Sequence, residues 1–169
     1  MESKCLDSDV NTNPTQPNFA DLMNQLPNCL SHIYWIENTL LKILPDWNKA
    51  IHSNTLDKAF SEYHLTVAEQ VYQLEHVFEL LKLKAQGKIF KEMSTFLKSE
   101  ISLPSTAPLE FNSDLDFLSR INDIVSFKMK FYKTLVDIAK ALRLNSTREL
   151  LQQNLETESH AGHRFLNFK

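Results

Sequence analysis

Residues Ile33–Ala50 read IYWIENTLLKILPDWNKA, and their spacing decides the fold. Ile33, Leu40, Leu41, Leu44 and Trp47 recur every three or four residues, as they do on the buried face of a helix. Leu30, just upstream, extends the stripe, so a first long helix is expected over about Asn28–Ile51. Pro45 should bend it, because proline removes one backbone hydrogen bond. Glu37 falls in the middle of the apolar face, with Ile33 one turn before it and Leu40 and Leu41 one turn after. A carboxylate on such a face points into the protein and must be protonated, paired or bound to a cation.

Working outward, the same period recurs three more times. Leu56, Phe60, Tyr63, Val67, Leu74, Val77 and Leu81 define a second helix, capped by Ser53 or Asn54 and running to about Ala85. Gly87 is read as its left-handed stop. A short helix over Ile89–Ile101 and the loop SLPSTAPLEFN follow. Ser113 with Asp116 opens a third long helix, to about Leu144, with Leu115, Leu118, Asn122, Val125, Met129, Tyr132, Val136 and Ala139 inward and Lys128 beside them. Ser146 with Glu149 opens the fourth, ending near Phe168. Before the first helix, Phe19–Leu26 reads as a lead-in turn ended by Pro27. Residues 1–17 read as a disordered polar tail, and 18–169 as one helical domain. Two short links and one long one match an all-α, ferritin-like four-helix bundle whose long crossover carries the extra helix.

Composition removes other classes. The 169 residues contain only two glycines, Gly87 and Gly162, where average usage would give roughly a dozen. Phosphate-binding and dinucleotide-binding glycine loops and nucleophile elbows are therefore absent. With 18 basic against 21 acidic residues and no run of either sign, nothing marks a nucleic-acid surface. No segment reaches the apolar length of a membrane span. The two cysteines, Cys5 and Cys29, argue against a disulfide framework and suit a reducing cytoplasm.

A second acid, Glu158, repeats the pattern of Glu37 on the fourth helix, with Leu151, Leu155, Ala161 and Phe165 around it. Thr66 and Gln70 stand at matching depth on the second helix and Lys128 on the third. The expected central cluster is thus Glu37, Thr66, Gln70, Lys128 and Glu158, which can balance its own charge if the Lys128 ammonium stands where a cation would sit. A dinuclear carboxylate site would need Glu-x-x-His on two helices. None of the 21 acidic residues has a histidine three positions on. His160 and His163, near a helix C-terminus, suit the dipole there, and His32, His52, His64 and His76 read as boundary or exposed positions.

Four runs carry a family resemblance: Ile33–Ala50, VYQLEHVFELL (Val71–Leu81), FYKTLVDIAKALRL (Phe131–Leu144) and ELLQQNLETESHA (Glu149–Ala161). Together they resemble the YciF-type ferritin-like family of bacterial stress-associated proteins, a domain of unknown function. The resemblance implies a homodimeric ferritin-like bundle, with a dinuclear carboxylate site in typical members. Glu37 and Glu158 match two of the family's carboxylates. The acidic positions of the second helix read Leu65, Thr66, Val67 and Gln70 here, and those of the third read Val125, Ser126, Phe127 and Lys128. Gly162 stands one turn beyond Glu158, where the family often carries an acid. The expectation is a degenerate, metal-free site without catalysis, no nucleic-acid or membrane partner, and a stress-associated role. Two other readings are an iron- or manganese-binding oxidoreductase with a single metal on Glu37, Glu158 and His160, and a helical scaffold for a protein partner.

Overall fold

The computed structural model describes residues 18–94, 97 and 113–168. Among them are four long helices and no strand: α1 (Phe19–Ala50), α2 (Asn54–Leu80), α3 (Asp114–Ala141) and α4 (Asn145–Leu166). The expected 1–17 tail and the pairing state of Cys5 lie outside the described residues. Cys29 is fully buried in the core and is disulfide-bonded rather than free, which corrects the reading of two unpaired cysteines.

Helix α1 starts about nine residues earlier than its sequence suggested. Asn18 caps it by accepting the Asp21 N–H at 2.8 Å, and both Pro27 and Pro45 lie inside it. Pro27 cannot donate to the preceding turn, yet Leu26, Cys29 and Leu30 around it are buried. Their burial outweighs one missing hydrogen bond. Ser53 caps α2, as expected, by accepting the Leu56 N–H at 3.4 Å.

The helix ends correct the reading of Gly87. Helix α2 ends at Leu80 with Leu81 as its C-cap, and Lys82 just beyond takes the left-handed conformation at φ 56°. The Leu83 N–H then donates to the Phe78 carbonyl at 2.8 Å, closing the six-to-one bond of a Schellman motif. Arg143 does the same for α3 at φ 58°, with the Leu144 N–H donating to the Ala139 carbonyl at 2.9 Å. Gly87 has no positive φ. Its role is close approach, since a Cβ there would lie 3.1 Å from Cα and Cβ of Trp35 on α1.

At the start of α3 the Ser113 N–H donates to the Asp116 carboxylate at 3.1 Å, one arm of the expected capping box. The box expected at Ser146 and Glu149 does not form. Leu144 precedes α4 with no side-chain cap, because the three-residue link already places Ser146 inside the first turn. The inward stripe of α3 is also rotated from expectation. Phe117, Ile121, Ile124, Val125, Lys128, Phe131, Tyr132, Leu135 and Ile138 are buried, whereas Leu115 is 72% exposed. Lys128 therefore stands at the centre of the stripe rather than beside it.

Helix α1 packs on α2 and α3, and α4 packs on α2 and α3, so each helix has two neighbours around a square. The Asp114 carboxylate accepts the His52 N–H at 2.9 Å and the Ser53 N–H at 2.8 Å. These bonds bring the start of α3 to the end of the bundle where α1 finishes, opposite the end of α2. The connection from α2 to α3 therefore crosses the length of the bundle, which makes all packed neighbours antiparallel and gives the ferritin-like topology. Of its expected short helix, 91–94 and 97 are helical and the rest lies outside the described residues. Phe90 anchors the crossover between His32, Phe127 and Phe131, with ring centroids 5.0–5.7 Å apart. His32 is consequently buried, not at a boundary.

Candidate functional site: a buried lysine between two carboxylates

Each helix sends polar side chains to one point in the core. Glu37 comes from α1, Tyr63 and Gln70 from α2 seven residues apart, Lys128 and Tyr132 from α3, and Asn154 and Glu158 from α4. The last two pairs are each spaced i,i+4, so both members share a helix face. All seven are buried, and Glu37, Lys128 and Glu158 have no exposed surface. Trp47, Phe60, Phe117 and Phe165 form an aromatic layer on one side, with centroids 5.5–6.5 Å apart. Fully buried Ile33, Leu74, Leu135 and Leu151 lie about a turn away on the other side.

The Lys128 ammonium is the hub. Its Nζ lies 2.8 Å from Glu158 Oε2 and 2.9 Å from Glu37 Oε2. Its protons go to Glu158 Oε2, to Gln70 Oε1 at 3.0 Å and to the Tyr63 hydroxyl at 3.0 Å. An ammonium has three protons, so Glu37 Oε2 has an ion contact but receives no hydrogen bond.

Each carboxylate also accepts one tyrosine hydroxyl. Tyr63 donates to Glu158 Oε1 at 2.7 Å and Tyr132 to Glu37 Oε1 at 2.6 Å. Gln70 Nε2 donates to Glu158 Oε2 at 2.9 Å and to the Asn154 carbonyl at 3.2 Å. Asn154 Nδ2 returns a bond to the Gln70 carbonyl and touches the Tyr132 hydroxyl, both at 3.3 Å. Glu158 thus accepts three hydrogen bonds and Glu37 one.

That asymmetry shows in the electrostatics. Burial raises the Glu37 carboxyl to about 7, against the pull of Lys128 and with the push of the Glu158 charge. Burial alone would lower Lys128, but Glu158 and then Glu37 outweigh it, so the lysine holds its proton above the usual value. Burial, followed by the carboxylate charges, drives both Tyr63 and Tyr132 well above the ordinary phenol range. Near neutral pH the cluster holds an ammonium, two neutral phenols and a partly protonated Glu37 carboxyl.

Four of the five expected cluster members meet here. Thr66 does not: it is half-exposed, and its hydroxyl donates to the Glu62 carbonyl of its own helix at 3.2 Å. Its place is taken by Tyr63, seven residues before Gln70. His160 is exposed on the outside of α4 and cannot join Glu37 and Glu158. Tyr63, Tyr132 and Asn154 escaped sequence reasoning as site members. The available signal for the two tyrosines was a hydroxyl on an apolar stripe, which needs a partner once buried.

The donor set does not fit a dinuclear metal site. Two hard divalent ions want several anionic oxygens. Here the only two carboxylates hold an ammonium, and no group of three or more His, Cys, Asp or Glu side chains gathers among the described residues. No helix among the described residues is long and apolar enough to cross a membrane.

The bundle is similar to two solved structures. YcfI from Rhodopseudomonas palustris superposes with a TM-score of 0.79 at 18% identity, covering 94% of this chain and 99% of that one. The E. coli stress protein YciF superposes with a TM-score of 0.73 at 18% identity, covering 88% and 98%. No curated protein matches the sequence. The family model described as a domain of unknown function (DUF892) matches residues 22–168, and with the YciF-like bundle this places the chain in that YciF-type family.

Proposed function

We propose that this protein is a YciF-type bundle whose dinuclear carboxylate centre has been replaced by an internal cation, leaving a metal-free, non-catalytic member of the family. The observation that carries the reading is the Lys128 ammonium, within 2.9 Å of both Glu37 and Glu158 and without solvent contact. The ammonium supplies the positive charge that buried carboxylates require, and it repels any metal ion brought to the same oxygens. The tyrosine and glutamine hydrogen bonds around it fill acceptor sites that a metal would use. The role then lies in the folded bundle and its surfaces rather than in redox chemistry. The name of the E. coli relative, a stress protein, supports a stress-associated setting.

Metal analysis tests the proposal. The protein purified in air, and again after loading with ferrous iron and with manganese, should hold well under one metal ion per chain after desalting. About one tightly bound iron or manganese per chain, lost in Glu37→Ala, would overturn it and favour the single-metal oxidoreductase.

A further inference from the structure

The crossover carries a second feature, on the outside of the α1–α2 pair and separate from the lysine cluster. Residues 82–91 read KLKAQGKIFK, with four lysines and no acid between Glu79 and Glu92, in a chain whose net charge is −3. Lys82, Lys84 and Lys88 are exposed, and none of the three has an ion pair among the described residues. Beside them lies an open groove of about 350 Å³, lined among others by Pro27, Phe78, Leu83, Lys84, Gln86 and Lys88. One wall is apolar and the rim is cationic.

The groove is built into the fold. The Lys88 N–H donates to the Ser31 carbonyl at 2.9 Å, and its ammonium to Asn28 at 3.0 Å. Gly87 lies flat on Trp35, and Leu83 is fixed by its bond to Phe78. Leu80, Leu83 and Ile89 nevertheless stay 37–52% exposed. Exposed apolar side chains rimmed by one sign of charge mark a recognition surface.

We infer that this groove docks an acidic segment of a protein partner, with one aliphatic side chain seated against Phe78, Leu83 and Pro27 and flanking carboxylates on Lys84 and Lys88. A short segment fits better than a broad surface, because the apolar wall and the two ammonium groups share one small concavity.

Fluorescence anisotropy on the full chain tests this with a labelled nonapeptide of glutamates around a central leucine. Saturable binding is expected at low salt. Lys84→Glu, a residue with no side-chain bond to lose, should weaken it at least tenfold. Lys84→Glu with Lys88→Glu should abolish it, and Lys133→Glu on the exposed face of α3 should leave it unchanged. Replacing the peptide leucine by serine should weaken binding several-fold. Absence of saturable binding overturns the inference, as does equal affinity of the Lys84→Glu chain or of the serine peptide. So does capture by phosphatidylglycerol vesicles, or self-association, that depends on these lysines while the peptide does not bind.

Discussion

Replacing Lys128 by methionine is the sharpest perturbation of this protein, because it keeps an unbranched apolar stem as far as Cε and removes the ammonium. In the native bundle Nζ lies 2.8 and 2.9 Å from two carboxylates with no solvent contact. Deleting one partner of a buried ion pair costs about 3–5 kcal/mol, since the other charge stays behind unpaired. Here two carboxylates lose their cation, and the Gln70 carbonyl and Tyr63 hydroxyl each lose a donor. A total of about 5 kcal/mol at pH 8 is the expected order. For a chain of this size each kcal/mol moves Tm by about 2–4 °C, so a fall of about 10–20 °C should appear in thermal circular dichroism.

The same substitution should cost much less at pH 5, where the bereft carboxyls can take up protons instead of standing charged in the core. A third chain separates the charge effect from packing. With Lys128→Met, Glu37→Leu and Glu158→Leu together, the site becomes apolar, and Tm should recover to near the native value or above, as buried ion pairs replaced by hydrophobes commonly do. If Lys128→Met melts with the native protein at pH 8, the ammonium is not inside the bundle and the cation-replacement argument fails.

Four further predictions follow from particular contacts. Folding raises the Glu37 carboxyl from 4.5 to about 7, so its contribution is fully present below about pH 4.5 and is lost as pH rises through about 7, worth about 3 kcal/mol in all. Tm should therefore drop between pH 5.5 and 8.5 in the native chain and stay flatter in Glu37→Gln; parallel slopes would refute the assignment. Tyr132→Phe removes the 2.6 Å bond to Glu37 and should cost about 1–3 kcal/mol in urea denaturation, with little effect on far-ultraviolet dichroism. Gly87→Ala drives a methyl against the Trp35 backbone at 3.1 Å and should cost about 1–3 kcal/mol, whereas Gly162→Ala meets the Val125 methyl at 3.1 Å and gains up to about 1 kcal/mol of helix propensity, so its melting point should barely move. Lys128→Glu exchanges the cation for a third carboxylate, and metal analysis after manganese loading should find an ion that the native chain lacks.

The helices were legible because period is a local property. A stripe such as Ile33, Leu40, Leu44 and Trp47 needs no partner to be read, and a charged residue on it, Glu37 or Glu158, stands out. Phase was harder. The α3 stripe drawn through Leu115 started on an exposed first-turn residue, which shifted the face and left Lys128 beside it. Thr66 and Tyr63 pose the same kind of problem. Both lie about one or two turns from Gln70, and only the angle at which α2 meets α4 selects the position seven residues away. The helix ends failed differently. Glycine is the cheapest residue at positive φ, so Gly87 looked like the stop, but the sequences Leu81-Lys82-Leu83 and Leu142-Arg143-Leu144 end their helices with basic residues in that conformation. The six-to-one bonds there and the favourable position of a cation at a helix C-terminus offset the strain.

The two tyrosines show why the chemistry of the core exceeded its pattern. On the stripe they read as apolar bulk, and most of each ring is packed as such. Their hydroxyls, however, go one to each carboxylate, Tyr63 to Glu158 and Tyr132 to Glu37, between antiparallel neighbours. Two acids and one lysine alone would leave Glu37 with an ion contact and no hydrogen bond. The phenols close that deficit without adding charge, because their high pKa keeps them neutral donors. A buried cation replacement is therefore a property of five or more side chains rather than of one lysine. A lysine placed at position 128 of a bundle lacking Tyr63, Tyr132 and Gln70 would meet carboxylates short of donors, and the cheapest response would be to protonate one acid and admit water.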